Sequence, residues 1–260
     1  MYGRVAEISL KDALAYRVEF FTGMIGNLVQ LAVFWYVWKA IYAASSAPLA
    51  GISLAAMLTY MSVSVALRGF FYSESEFSIE NEVKTGGLAA ILIKPISYPM
   101  YCLSRQLGGT VLSLFSQVIP IVVIAIFLIG IPAPAAPLAF AVSVVMGFVI
   151  NWTMIWLTGM WVFWSSGTIW GMRLARQMIA EIMSGAIIPI FFFPAWLATI
   201  ANILPFQAMF ATPLSIYIGQ ITGQEIWKAL GIQLFWVLLL VASSNFIWKR
   251  AQKKIFIQGG

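Results

Sequence analysis

One long stretch without charge restricts what this chain can fold into more than any other feature. No Asp, Glu, Lys or Arg stands between Arg105 and Arg173. A helix of about 20 apolar residues crosses the hydrocarbon core of a membrane, so the stretch is too long for one span and fits two. Pro132, Pro134 and Pro137 stand near its middle and cannot continue a helix. The pattern therefore predicts two membrane spans joined by a proline-rich loop.

The composition of the whole chain also indicates a membrane protein. Of its 260 residues, 62% are apolar and 9% are charged, whereas soluble domains have about 45–50% and about 25%. These proportions exclude a soluble globular fold and a disordered chain. The expected fold is an all-α polytopic membrane protein with six transmembrane helices, forming a single transmembrane domain over residues 1–260. The expected spans are residues 20–38, residues 48–67, two spans between Arg105 and Arg173, residues 176–193 and residues 226–248.

The residue types that carry covalent or metal chemistry are scarce. The chain has no His and a single Cys, Cys102, so neither a transition-metal site nor an internal disulfide framework is expected. It contains no Walker A phosphate-binding loop, no zincin motif and no nucleophile elbow. We therefore expect no enzyme activity, no metal site and no cofactor in this chain.

The basic residues predict the orientation of the spans. If there are six spans, every Lys and Arg except Lys39 and Lys228 falls on the same side of the membrane. Membrane proteins concentrate basic residues on the cytoplasmic side. Both termini are therefore expected in the cytoplasm, in a multi-pass protein of the inner (cytoplasmic) membrane. The net charge of +6 is explained by this asymmetry and does not indicate a nucleic-acid partner.

Residues 1–17 alternate charged and apolar side chains, with Arg4, Lys11 and Arg17 among the charged ones. The alternation favours a helix lying along the cytoplasmic interface, in contact with membrane lipid. A frayed tail is the alternative. The first span is too long for the apolar core of a signal peptide and is not followed by a small-residue cleavage site.

The cytoplasmic segment at residues 74–105 is far longer than a simple connector needs. It begins with a cluster of glutamates, and Leu88, Ile91 and Leu92 then form an apolar stripe at helical spacing. The spacing predicts a short amphipathic helix parallel to the membrane, with its stripe resting on lipid or on a protein partner. The alternative is a solvated loop whose acidic residues only keep it soluble.

The exterior segment at residues 187–224 has four prolines in an apolar stretch, and no charge separates Glu181 from Glu225. One straight helix cannot hold prolines at these intervals. The pattern favours two half-helices that dip back into the outer leaflet, buried in protein or facing a cavity. An apolar outer loop packed on the bundle is the alternative. The residues that define the segment are Pro189, Pro194, Pro205, Phe206 and Pro213.

Glu181 is a single carboxylate inside the fifth expected span. A carboxylate within a membrane is a candidate functional group. The structural interpretation is an ion pair with Arg176 or with another base near the cytoplasmic end, and the functional one is ion-coupled transport.

Four stretches of the chain match a known pattern in order. Leu-Ala-Tyr-Arg-Val-Glu-Phe opens the first span at residues 14–20, and Glu-Val-Lys-Thr-Gly-Gly-Leu with Leu-Ile-Lys-Pro-Ile occupies residues 82–88 and 92–96. Ser-Gly-Ala-Ile-Ile-Pro at residues 184–189 precedes Phe-Pro, Leu-Pro-Phe and Pro213, and a short basic ending closes the chain. In these stretches the chain resembles the ABC-2 type permeases, in particular the six-span subunits of bacterial exporters.

The resemblance implies a permease subunit that borrows ATP hydrolysis from a separate ABC ATPase, which would hold the ATP and Mg²⁺. It further implies a second permease subunit, identical or paralogous, around a central path. Residues 2–17 would be an interfacial helix that also touches the ATPase, and residues 187–219 would cap the path. The coupling helix that docks on the ATPase would comprise Glu80, Glu82, Val83, Lys84, Thr85, Gly86, Leu88, Ile91, Leu92, Lys94 and Pro95.

The uncharged third and fourth spans favour an apolar or amphipathic substrate over a small ion. The alternative function is an ion-coupled secondary transporter or channel using Glu181, although such proteins often have broken helices in two matching halves. A membrane-embedded enzyme and a structural assembly factor are further alternatives.

Overall fold

The structure, a computed structural model, describes residues 2–15, 17–45, 49–71, 73–165 and 167–258. These residues form helices, turns and one isolated bridge between Leu49 and Ile52. In chain order the α-helices are α1 (Tyr2–Ala15), α2 (Arg17–Ala43), α3 (Leu54–Phe71), α4 (Ser75–Lys84), α5 (Gly87–Leu92), α6 (Tyr98–Ser113), α7 (Ile119–Ile129), α8 (Pro137–Met160), α9 (Trp170–Met183), α10 (Ala195–Ile203), α11 (Ala211–Tyr217) and α12 (Gln224–Gln258).

Within the described residues, 5 helical stretches are long and apolar enough to cross a membrane. The expected all-α polytopic membrane protein is thus confirmed. The stretches are Thr22–Ala43, Leu54–Lys84, Tyr98–Ile129, Pro137–Phe163 and Gln224–Lys254.

The two ends of the helix bundle have separate side-chain clusters. At one end, which we call the α4 end, Ile79 of α4, Leu88 of α5, Tyr98 of α6 and Trp248 of α12 are buried in one cluster. Both α1, which packs on the start of α6, and the last part of α12 therefore lie at this end.

At the opposite end, the α11 end, helix starts and turns pack on one another. Phe140 of α8 packs edge-on against Tyr217 of α11 at 5.0 Å between ring centroids. The hydroxyl of Tyr217 donates to the carbonyl oxygen of Pro132 at 2.9 Å, and Trp38 near the end of α2 stacks on Phe192 at 5.2 Å.

The fifth crossing of the bundle differs from the expected continuous helix over residues 176–193, and that prediction is wrong. Helix α9 has 14 residues, or about 21 Å at 1.5 Å per residue, against about 30 Å for the hydrocarbon core. The helix ends because Gly185 adopts a φ of 79° and Pro189 follows. From there the chain continues irregularly to Phe192. In the described chain the crossing is therefore half helix and half irregular backbone.

Helices α6 and α7 form one continuous rod with a π-helical turn at Leu114–Val118 between them. The turn precedes Pro120, which has no amide hydrogen and whose ring would clash with a carbonyl one turn back. A π-turn absorbs this mismatch by adding a residue to the turn. As a result, the side chains of Ser116 and Gln117 line the interior of the bundle.

Candidate coupling element and central cavity

The segment that follows α3 forms two helices at the α4 end. Helix α4 packs on α8, where a Cβ atom at Gly159 would lie 2.7 Å from Cδ1 of Ile79, so a larger residue there would displace the end of the Ile79 side chain. Gly86 then takes a φ of 77°, a left-handed conformation that glycine adopts without strain, and turns the chain into α5.

Two of the three acidic residues of α4 are ion-paired with arginines of α6 and α9. Glu76 is fully buried, and its Oε1 lies 2.6 Å from Nη2 of Arg176. Glu82 pairs with Arg105 Nη1 and also accepts a hydrogen bond from the hydroxyl of Tyr98. The solvated-loop alternative is therefore wrong, because these carboxylates hold α4 to the bundle.

Glu80 has a different set of partners on the same helix. Its Oε1 lies 2.7 Å from Nζ of Lys84 and accepts the backbone N–H of Ile169 at 3.2 Å. The carboxylate therefore ties α4 to the turn that leads into α9.

The apolar stripe of α5 faces the protein's own bundle. Leu88 is 4% exposed, and Ile91 and Leu92 pack against the same cluster together with Val83 of α4. The prediction that this stripe rests on lipid or on a partner is therefore wrong. Among the residues that the sequence predicted for the coupling helix, those that are exposed are Lys84, Thr85, Gly86, Lys94 and Pro95.

Ile93, which the sequence analysis did not select, is 85% exposed at the end of α5. It follows the stripe directly and lies on the opposite side of the helix. Once Leu88 faces inward, helical spacing places Ile93 outward, so the signal was present in the sequence but could not be used without knowing which face was buried. An isoleucine this exposed is an apolar contact point at the tip of the element.

A half-open cavity of about 1290 Å³ lies on the α4 side of the bundle. Residues from α1, α2, α3, α4, α6, α8 and α9 line it, together with Met209 and Phe210 from the segment between α10 and α11. Most of its polar lining belongs to helices far apart in the sequence. Its charged lining residues are Arg68, Glu74, Lys94, Arg105, Arg173, Arg176 and Glu181.

Glu181 lies in the wall of this cavity, where its Oε1 is 2.9 Å from Nη2 of Arg68. It also accepts a hydrogen bond from Gln177 Nε2 at 3.2 Å. Of the partners that the sequence suggested for Glu181, Arg176 pairs with Glu76 instead. The partner is another base, Arg68, so the structural interpretation of Glu181 as a member of an ion pair holds. The sequence did not single out Arg68, because it lies 113 residues away from Glu181 and only the fold brings the two side chains together.

The π-turn presents Gln117 to the same cavity. Asn27 Nδ2 of α2 donates to Gln117 Oε1 at 2.8 Å. Gly23 and Gly69 leave room for this side chain, since a Cβ at Gly69 would lie 2.9 Å from the same oxygen. The three helices α2, α3 and α6 thus meet around one amide group.

Helix α1 forms a further wall of the cavity. Its residues Val5, Ile8 and Ser9 line the cavity, and Ser9 Oγ donates to the carbonyl oxygen of Arg105 at 2.9 Å. A Cβ atom at Gly108 of α6 would overlap the carbonyl oxygen of Ala6. In the described part, residues 2–15 are therefore a packed helix and not a frayed tail.

Of the basic residues expected on this helix, Arg4 and Lys11 are exposed, and Arg17 follows the end of the helix. Arg4 is exposed, and Lys11 Nζ lies 2.6 Å from Glu7 Oε1. The hydrogen bond from Lys11 lowers the pKa of the Glu7 carboxyl. The side chain of Arg17 lies outside the described part of the structure, as do residues Met1 and Tyr16.

The exterior segment is built from α10 and α11, whose prolines fall at helix starts and turns. Pro194 directly precedes α10, and Pro213 lies in the first turn of α11, where a missing amide hydrogen costs nothing. Pro205 and Phe206 are buried in the turn between the helices, and Pro189 is buried where α9 has ended.

The irregular backbone around this segment finds its hydrogen-bond partners within the protein. Tyr60 donates to the carbonyl oxygen of Gly185 at 2.9 Å, and Ser64 donates to that of Ala186 at 2.7 Å. Gln233 of α12 donates to the carbonyl oxygen of Ala208 at 2.7 Å. Backbone that leaves a helix inside a membrane needs such partners, and these helices supply them.

A test of these contacts is the change Tyr60→Phe, which keeps the ring but leaves the Gly185 carbonyl without its donor. We expect a loss of about 1–3 kcal/mol of stability, because the site is fully buried. The melting temperature of the detergent-solubilised protein measures it. Tyr217→Phe is the control, since its hydroxyl makes a 2.9 Å bond to a carbonyl at an exposed site. An equal loss in both variants would contradict this role for Tyr60.

The long apolar helices define a multi-pass membrane protein. The family model described as "ABC-2 family transporter protein" matches residues 28–259, and the chain belongs to that family. The resemblance found in the sequence is thereby confirmed. The chain is the transmembrane permease of an ABC transporter. It is a membrane subunit and not the ATPase. The family implies that it associates with ABC ATPase subunits. No curated protein matches the chain.

Proposed function

We propose that this chain is the permease subunit of an ATP-driven exporter and that its ATPase docks on the tip of α5. The observation that carries the proposal is the orientation of the α4–α5 element. Its stripe and its carboxylates face the bundle, whereas Ile93 is 85% exposed. An apolar side chain flanked by Lys94 and Pro95 suits a groove on a protein partner. That partner would hold the ATP and Mg²⁺.

The orientation of the chain follows from the distribution of its basic residues. Lys39 near the end of α2 and Lys228 in the first turn of α12 lie at the α11 end, and the other basic residues that the structure describes lie toward the α4 end. The positive-inside rule makes the α4 end cytoplasmic. Both termini are then cytoplasmic, and α10 and α11 form the re-entrant exterior segment of a protein in the inner membrane.

The ion pairs of α4 provide a route for coupling. A movement of α5 by the ATPase is transmitted through α4 to α9 by Glu76–Arg176 and to α6 by Glu82–Arg105. Helix α9 leads directly into the exterior segment. Ser184, which follows α9, accepts a backbone hydrogen bond from Ala211 at the start of α11. In this mechanism the bundle has two arrangements, and nucleotide binding to the ATPase changes their relative populations.

The proposal includes a second permease subunit, identical or paralogous, and an apolar or amphipathic substrate. An ion-coupled transporter or channel using Glu181 is not favoured, because the carboxylate is paired with Arg68 at 2.9 Å. An ion-coupling carboxylate has to release its partner in each cycle, and the amide of Gln177 further engages this one.

The test is co-purification of an ATPase from native membranes in mild detergent, with the wild-type chain and with Ile93→Asp. We expect the amount of ATPase that co-purifies with Ile93→Asp to fall by about 10-fold or more relative to wild type, because a charge replaces the central apolar contact. Changes at Glu82 or Leu88 would test folding and not docking, since both side chains face the bundle.

The matched control is Lys228→Asp, a charge change on an exposed side chain at the α11 end. It is expected to leave ATPase retention and the elution profile unchanged. Wild-type retention by Ile93→Asp would refute docking at this tip, and no co-purified ATPase with any form would refute the exporter.

A further inference from the structure

The last turns of α12 carry a group of exposed basic side chains at the α4 end. This α12 basic patch consists of Lys249, Arg250, Lys253 and Lys254. No acidic residue follows Glu225 in the sequence, and within the described residues none of the four basic side chains makes an ion pair. The described part of the chain therefore leaves the charge of the patch without an acidic partner.

The position of the patch along α12 matches the head-group layer of a membrane. Trp227 is exposed in the first turn of α12 at the α11 end, and amphipathic rings of this kind lie at membrane interfaces. In an upright helix, about 30 Å of hydrocarbon core extends from Trp227 to about Ile247. The patch begins two residues later and extends over about 8 Å, close to the roughly 5–8 Å of one head-group layer.

The patch continues an exposed apolar face of α12. Phe235, Leu239 and Phe246 are each about half exposed, and their spacing of four and seven residues puts them on one side of the helix. Lys249 and Lys253 follow Phe246 by three and seven residues and therefore lie on the same side. The exposed stripe thus changes from apolar to basic at the depth where acyl chains end and head groups begin.

Aromatic rings hold the other two side chains of the patch near this depth. The guanidinium carbon of Arg250 lies 4.4 Å from the ring centroid of Phe246. The ammonium nitrogen of Lys254 lies 5.6 Å from the ring centroid of Trp164, which is itself exposed. A contact between a cation and an aromatic face orients the long side chain and does not remove its charge. Both side chains therefore keep a full positive charge at the interface.

We propose that the α12 basic patch binds the head groups of anionic phospholipids, whose acyl chains lie along Phe235, Leu239 and Phe246. Phosphate oxygens are good acceptors for lysine and arginine side chains. Basic clusters next to a spanning helix attract anionic lipid, with a gain of about 5-fold in affinity for each charge near the surface. The proposal requires only that α12 crosses a bilayer, so it goes beyond the proposed function and does not depend on the ATPase.

An acidic surface of the ATPase is the other partner that this charge would fit. The lipid is favoured because the patch shares a face with the apolar stripe and begins where that stripe ends. A soluble subunit would meet residues that extend beyond the head groups, whereas the patch lies within the thickness of that layer. The arrangement of apolar and basic residues along one face matches the two parts of a phospholipid.

The experiment titrates the full chain with phosphatidylglycerol in dodecyl maltoside, without ATPase, and counts bound lipid by native mass spectrometry. The variant is Lys249→Gln with Lys253→Gln, because both side chains are exposed and make no hydrogen bond or ion pair within the described residues. We expect wild type to prefer phosphatidylglycerol to phosphatidylcholine. The Kd of the first bound phosphatidylglycerol should rise at least about 10-fold in the variant.

Two further variants separate the patch from general effects of charge and folding. Lys249→Arg with Lys253→Arg keeps both charges and should retain the wild-type Kd. Lys39→Gln with Lys228→Gln removes two exposed lysines at the α11 end and should also leave the Kd unchanged. A rise in Kd for this pair as large as that for the patch variant would overturn a site on α12.

The remaining outcomes identify what the patch binds. Absence of a preference for phosphatidylglycerol, or an unchanged Kd in the patch variant, overturns the proposal. Glycerol phosphate, which has the head-group phosphate without acyl chains, should not compete, and equal competition would leave a free anion as the ligand instead of a lipid. Unchanged lipid binding together with less co-purified ATPase would make the patch a protein contact. Because the lipid assay contains no ATPase, its failure and the failure of docking through Ile93 are separate results.

Discussion

Replacing Arg176 with Met is expected to be among the most destabilising single changes in this protein. The substitution leaves the Glu76 carboxylate, which is 0% exposed, without its partner at 2.6 Å. Breaking a buried ion pair by removing one member costs about 3–5 kcal/mol, because the remaining charge stays buried without compensation. We expect a large fall in the amount of monodisperse protein and in its melting temperature after solubilisation.

Two controls separate the buried charge from other effects. Lys228→Met removes a partner from the Lys228–Glu225 pair, which has the same 2.6 Å separation but is 69% and 64% exposed, and should cost at most about 1 kcal/mol. The double change Arg176→Met with Glu76→Gln removes both buried charges and should recover much of the loss. If Arg176→Met is no worse than Lys228→Met, the pair does not hold α4 to α9.

The broad architecture could be predicted from the sequence because it depends on local properties. Apolar length determines which segments can span, and the prolines at 132, 134 and 137 end one span before the next begins. The break near Gly86 and the helix after it were also predictable, since glycine permits the left-handed φ of 77° found there. The shortness of α9 was missed because its sequence remains apolar beyond Met183 although the backbone leaves the helix at Gly185.

The candidate site was harder to predict, because it depends on which helices are neighbours. Several arginines are candidate partners of Glu181 in the sequence, and only the folded structure shows that Arg68 of α3 is the one that pairs with it. The direction in which the apolar stripe of α5 faces was hard to predict for the same reason. Spacing shows that Leu88, Ile91 and Leu92 share a face, but not whether that face meets lipid, a partner or the chain's own aromatic cluster around Trp248.

The cavity shows why an uncharged span does not imply an uncharged path. Helix α8 lies within the charge-free stretch and contributes Asn151 and Ile155 to the lining. The charges come from Arg68, Arg105 and Arg173, which belong to three different helices, α3, α6 and α9, but lie around one space in the fold. Helix α4 lies beside this space and is ion-paired to α6 and α9. This convergence cannot be read from any single segment.

Gly108→Val is the second change for which we expect a large effect, because it forces α1 away from α6. At Gly108 even a Cβ atom would overlap the carbonyl oxygen of Ala6 and lie 3.0 Å from Cβ of Ser9. A backbone oxygen cannot turn aside as a flexible side chain can, so the helix itself must move. Overpacking of this kind costs about 1–3 kcal/mol or more, and here it also opens the cavity wall formed by Val5, Ile8 and Ser9.

The neighbouring residue provides the control within the same turn of α6. A Cβ at Gly109 has no heavy atom within 4 Å in the described structure, so Gly109→Val changes helix propensity and volume equally without touching α1. Limited trypsin digestion at Lys11, which is exposed on α1, should be much faster in Gly108→Val than in Gly109→Val or the wild type. Equal rates in the two valine variants would mean that α1 is not held by this contact. In that case the cavity wall would have to be assigned to the other lining helices without α1.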